Sequence, residues 1–149
     1  MRPPRRGYEA AIEAYPESAE AFRGLGRAHL DMMHSFTYYE PRDDVRSLEA
    51  AGLAEAALRR AIEIDPSMVE AYVDLADTFR TPGRYAETVA LLEAGLDTNP
   101  DHPVLLTYLG RALFDLGRPG EAQRPLRRAD EIGGVPLTYR YLGWTDFHL

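Results

Sequence analysis

AIEIDPSMVEAYVDLADTF, residues 61–79, is answered further along the chain by GLDTNPDHPVLLTYLGRALF, residues 95–114. Pro100 follows Pro66 by 34 positions, and Leu109 follows Leu75 by the same interval. In both stretches a helix-period run ends at a proline and another begins just beyond it, because proline lacks the N–H that would continue the first helix. Ser67 followed by Glu70 has the spacing of a capping box, which predicts a helix start near 67. The same start lines up Glu70, Asp74 and Asp77 along one side of the helix. Those three carboxylates are either acid–base machinery or part of a scaffold.

The 34-residue frame extends outward in both directions. Phe22-x-x-Leu25-Gly26, Tyr72-x-x-Leu75-Ala76 and Leu106-x-x-Leu109-Gly110 superpose as first helices. Second helices superpose Ala54, Thr88 and Ala122, then Leu58, Leu92 and Leu126, then Ala61, Gly95 and Ala129. Small residues let paired helices approach closely, and leucines fill the space between neighbouring pairs. An aromatic residue, Leu-Gly, a second aromatic, small residues and a closing proline over 34 residues is the pattern of the tetratricopeptide repeat, which this chain resembles over residues 5–149. The resemblance implies an all-α protein, an α-solenoid of helix-turn-helix hairpins wound into a right-handed superhelix.

Within that frame residues 1–149 form a single domain. YEAAIEAYP matches LRRAIEIDP across 50 residues, so 5–15 reads as a half-repeat carrying only a second helix. A long repeat (18–66), two ordinary ones (69–102 and 103–135) and a closing half-repeat (136–149) follow, the last with Leu142-Gly143 over Leu109-Gly110. In the long repeat, Ala21 to Ala54 spans 33 positions where Ala71 to Thr88 spans 17, an insertion of 16. Each helix of that hairpin is expected to gain about eight residues, roughly two turns, and to project about 12 Å. Phe22, Leu25, His29, Met32, Phe36 and Tyr39 continue the helical spacing, and Asp43-Asp44 after Pro41 can cap the returning helix. In the third repeat Pro125 lies well inside a helix, where a kink is expected, and Gly133-Gly134 replaces the closing proline.

Composition narrows the function. A net charge of −7 and a pI near 5.1 argue against general binding to nucleic acid or anionic membranes, which both reward a positive surface. With no cysteine there are no disulfides, thiol nucleophiles or thiolate metal sites. The start, MRPPRRGYEA, has no apolar signal core, and no apolar run approaches a membrane span, so a cytoplasmic location is expected.

Chemistry has little support. His29 falls at the second aromatic position of the long repeat and reads as a packing residue, while His34 with Asp31 and Glu40 lacks any familiar metal spacing. His102 and His148 read as surface residues. Ser18 and Ser67 sit at helix starts, and Ser35 and Ser47 have no histidine partner at a triad spacing. The Gly24-Leu25-Gly26 glycines follow no strand, which excludes a dinucleotide loop. Arg23, Arg27 and Arg111 share a surface with the carboxylate stripe, so charge pairing between repeats is the simpler reading. Neither an enzyme nor a cofactor nor a metal site is expected.

The resemblance implies instead a concave groove for a protein or peptide partner. Transferred by repeat position, that groove holds Arg23, Arg27, Arg80, Thr107, Arg111, Phe114, Arg140, Trp144 and Phe147. Arginine grips carboxylates and aromatic rings supply apolar contact, so the partner is expected to carry an acidic group and an apolar anchor. Family members that clamp a terminal carboxylate use asparagine where this chain has Gly24 and Arg27, then Asp74 and Asp77. A second expectation is a structural self-assembly module, or a fragment of a longer tetratricopeptide repeat protein, that pairs through its terminal half-repeats, as a homodimer with Tyr139, Leu142 and Trp144 at the contact.

Overall fold

The computed structural model describes residues 4–39 and 43–148. Pro41 and Glu40, expected to break the long hairpin and to stand beside His34, lie outside the described residues. Among those described there are eight helices and no strand: α1 (Pro4–Ala14), α2 (Ala19–Tyr38), α3 (Asp44–Ile64), α4 (Val69–Arg80), α5 (Tyr85–Thr98), α6 (Pro103–Asp115), α7 (Pro119–Glu131) and α8 (Pro136–Phe147). The chain gathers into two compact units, Met1–Thr78 and Phe79–Leu149, with the boundary inside α4.

In the first unit α1 packs on α2 and α2 on α3. The lengthening falls where the sequence puts it: α2 has 20 residues against 12 in α4 and 13 in α6. Likewise α3 has 21 against 14 in α5 and 13 in α7. Ser18 caps α2 by accepting the Ala21 N–H at 3.2 Å, and Asp43 caps α3 by accepting that of Arg46 at 2.9 Å. Leu30, Met33, Ala50 and Leu58 fill the space between the long helices. Near its far end Thr37 and Ser47 share a hydrogen bond of 2.6 Å, while the Thr37 hydroxyl also donates to the Met33 carbonyl at 2.8 Å. Such pairing lets two hydroxyls enter a helix contact without an unmet donor.

Close approach explains the small residues of the repeat. A Cβ added to Gly26 would lie 2.5 Å from Cγ of Leu58, and one added to Gly110 would lie 2.4 Å from Cγ of Leu126. The Leu-Gly pair therefore marks a seat on a first helix into which a leucine of the following helix fits. Gly24 serves the other side of α2, where a Cβ would meet the Tyr8 ring of α1 at 2.2 Å.

The start of α4 differs from the expected capping box. The Ser67 hydroxyl donates to the Asp65 carboxylate at 2.6 Å, and that carboxylate also accepts the Ser67 N–H at 2.9 Å. Asp65 thus captures the serine and holds the turn, and the helix starts at Val69. These bonds keep the Asp65 carboxyl below its ordinary pKa.

In the second unit α5 packs on α6, α6 on α7 and α7 on α8, and α6 also meets α8. Gly117, with φ of 81°, makes the left-handed turn between α6 and α7 that a side chain would strain. Prolines at 103, 119 and 136 open α6, α7 and α8, where their missing N–H costs nothing. Helix α7 runs unbroken through the buried Pro125.

Candidate interaction surface

Within the carboxylate stripe, Asp74 is charge-paired. Asp74, its side chain 3% exposed, accepts from Arg23 Nε at 2.9 Å and from Arg27 Nη1 at 2.8 Å. Two first helices are joined by one buried carboxylate held between two cations. The Asp74 hydrogen bond raises the Arg27 pKa above its ordinary value, overcoming the opposing effect of burial. Glu70 is exposed and Asp77 half-buried. Arg23 and Arg27, expected to serve a ligand, are thus already engaged by Asp74, and an acidic ligand would have to displace it.

Further along, the expected groove residues separate into three groups. Thr107 is corrected: it is fully buried, with its hydroxyl donating to the Pro103 carbonyl at 2.7 Å and sharing a hydrogen bond of 2.7 Å with Thr138. It joins α6 to α8 and is closed to a ligand. Arg111 is also buried, its guanidinium stacked 4.2 Å over the Tyr108 ring. Arg80 is half exposed, with Nε 3.4 Å from Asp115.

A ring cluster forms the second group. Phe114 lies 5.7 Å from Tyr141, 5.9 Å from Trp144 and 5.4 Å from His148, centroid to centroid, and Tyr141 lies 5.0 Å from Trp144. Most of these contacts are edge-to-face, which suits the ring quadrupoles. Trp144 keeps 45% of its surface exposed while Tyr141 is buried below it. Burial raises the Tyr141 phenol pKa and Asp115 adds to the effect, with Arg111, Arg80 and Arg140 opposing it. Tyr141 and His148 stood outside the expected groove set. Their signal is the i, i+3, i+7 spacing of 141, 144 and 148 on one helical row.

The third group faces elsewhere. Tyr139, Arg140, Gly143, Asp146 and Phe147 fall on one stripe of α8 by helical spacing, and all five are exposed. Leu142, expected at a self-association contact, is half-buried and off this stripe.

His29 is buried with its Nδ1 unpaired, and burial pushes its imidazole below the ordinary pKa, with Arg5 adding to the shift. Among the described residues no three His, Asp or Glu side chains converge as a metal site would require, and the His34 ring lies 5.8 Å from that of Tyr38, tilted against it. Sequence reasoning missed a cavity of about 930 Å³ among α5, α6 and α7, with Val89, Leu106, Leu109 and Pro125 on its apolar side.

Helical pairs locked by Leu-Gly seats define a helical-repeat protein, and the family comparison agrees. Two tetratricopeptide repeat models match, one over residues 5–31 and 46–103 and the other over 80–134. The chain belongs to the tetratricopeptide repeat family. The unmatched stretch, 32–45, coincides with the lengthened end of the α2–α3 hairpin. Among solved structures it is similar to TTC0263, a thermophilic TPR protein of Thermus thermophilus, with a TM-score of 0.77 at 18% identity, covering 93% of this chain and 70% of that one. It is also similar to YrrB, a TPR protein with an unusual peptide-binding site, with a TM-score of 0.61 at 24% identity, covering 85% of this chain and 57% of that one. These likenesses concern the fold. No curated protein sequence matches significantly. Repeats of this family are protein–protein interaction modules, and no helix among the described residues is long and apolar enough to cross a membrane.

Proposed function

We propose that this chain is a non-catalytic adaptor of the cytoplasm that takes up a protein or peptide segment on the ring cluster of its second unit. The observation that carries the reading is Trp144, 45% exposed yet braced by Phe114 and Tyr141. A rigid aromatic with one open face is the kind of anchor that dominates peptide recognition. Arg80, held to Asp115 by a long contact of 3.4 Å, is the cation best placed in sequence and exposure to exchange that partner for a ligand carboxylate. The ligand class is therefore an acidic segment with an apolar side chain next to its carboxylate.

Trp144 is the only tryptophan, so its emission reports directly on this surface. Acidic peptides with an aliphatic or aromatic anchor should shift that emission saturably, and Phe114→Ala should weaken their binding by about 2 kcal/mol, roughly thirtyfold. Proteins captured from native lysate by the wild type should be lost from Trp144→Ala. Affinities within about twofold of wild type in Phe114→Ala would remove the ring cluster from the account.

A second reading, self-association as a homodimer, is favoured by one observation. Gly143 repeats the Leu-Gly pattern of Gly26 and Gly110, yet an added Cβ there would meet nothing within 4 Å. The seat that leucines fill on α2 and α6 is open on α8.

A further inference from the structure

We infer that α8 pairs antiparallel with α8 of a second copy, crossing at Gly143, an inference that rests on the homodimer reading and gives it a register. In a two-fold crossing centred on one residue, positions equally far before and after that residue face each other across the axis. Tyr139 and Phe147 stand four residues to either side of Gly143, and Arg140 and Asp146 stand three to either side. An antiparallel pair therefore sets Tyr139 against the partner's Phe147 and Arg140 against the partner's Asp146, each twice.

The stripe is complementary to itself in both apolar character and charge. Phe147 is 86% exposed and Tyr139 57%, the ring area that such a contact would cover. Arg140 has no hydrogen bond or ion pair among the described residues. Asp146 accepts from Gln123 at 2.7 Å and has Arg127 at 3.7 Å, both through Oδ1, which leaves Oδ2 for the incoming guanidinium. Gly143 supplies the closeness, since its bare face leaves room for a neighbouring helix where Gly26 and Gly110 admit a leucine side chain.

Other occupants fit less well. A helix of an unrelated partner would need no symmetry of charge about position 143, and α1 of a second copy, whose Glu9 is already paired with Arg5, does not repeat that symmetry. A 12-residue helix offers less than the about 800 Å² per partner of a standard interface. Association in the micromolar range follows.

The chain has no cysteine, so a single introduced thiol reports cleanly. Gly143→Cys places two thiols at the crossing, within the Cα separation of about 4.4–6.8 Å that a disulfide spans. Gly52→Cys, on α3 with nothing within 4 Å, is the control. Under mild oxidation at about 100 μM, well above a micromolar Kd, Gly143→Cys should run as a covalent dimer and Gly52→Cys as a monomer. By sedimentation, Arg140→Asp and Asp146→Arg should each weaken dimerisation about tenfold or more, and the double variant should recover it, because the like-charge clash is replaced by the same pair reversed. A wild type that dimerises while Gly143→Cys fails to cross-link, or while the double variant fails to recover, overturns the register and leaves self-association standing. A wild type that is monomeric at that concentration overturns both.

Discussion

Gly26 and Gly143 hold the same place in the repeat and meet opposite surroundings. On α2 the glycine lies under Leu58, so close that a methyl group would collide with it; on α8 nothing stands within 4 Å. The long hairpin is thus a completed unit whose second helix covers the first, and α8 is a first helix with its covering face open. Where the Leu-Gly seat is filled, substitutions should act on stability; where it is open, they should leave the fold nearly untouched.

The largest effect should come from emptying a filled seat. Leu58→Ala removes a fully buried side chain and leaves a cavity against Gly26, with a cost of about 2–5 kcal/mol in chemical denaturation. Phe147→Ala on the open helix should cost less than about 0.5 kcal/mol in the same experiment. Equal costs would erase the distinction. Next comes overfilling: Gly26→Ala forces Leu58 or the helix axes to shift and should destabilise by about 1–3 kcal/mol.

Asp74→Asn probes the charge that joins two first helices. It removes the anion from Arg23 and Arg27, and since both guanidiniums are over a third exposed, solvent limits the cost to about 1 kcal/mol. The effect should shrink little in high salt, because the carboxylate itself is buried. Removing the charge without any measurable change in stability would show the triad to be incidental.

A smaller effect depends on pH. The folded-state pKa of His29 is depressed by burial and by Arg5, against a lesser opposing pull from Glu9. A base with a lowered folded pKa binds its proton better when unfolded. Stability is therefore full above the unfolded value of about 6.5 and falls as pH drops toward the folded pKa, by at most about 1.4 kcal/mol per pH unit. His29→Leu should flatten the unfolding midpoint between pH 7 and pH 5.5. A slope unchanged in that variant would assign the dependence to other groups.

Much of the fold was legible because it rests on one-dimensional signals. The Pro66–Pro100 interval, the Leu-Gly pairs and the count from Ala21 to Ala54 gave the hairpins and the lengthening, and Ser18 and Asp43 cap as short polar residues before helices do. What escaped depends on which side chain reaches a group first. Asp65 took the hydroxyl of Ser67 from the helix end, two residues away and on the outer side of the turn. Thr107 looked like a groove residue by position, but its partner Thr138 is 31 residues on and revealed only by the α6–α8 contact. Arg111 carries a groove residue's charge and is nonetheless folded onto Tyr108. Helical spacing gives the row a residue stands in, whereas burial along that row is decided by the neighbouring helix.

The smallest effect is the most direct test of the filled-versus-empty contrast. Gly143→Ala, measured by urea denaturation at a concentration low enough to keep the chain monomeric, adds a methyl group where nothing stands within 4 Å. It also replaces the second poorest helix former with the best one. The account predicts a gain in stability of about 0.5–1 kcal/mol, opposite in sign to Gly26→Ala. A loss of about 1 kcal/mol or more, the scale of overfilling a packed core, would mean that the α8 seat is already occupied within the chain.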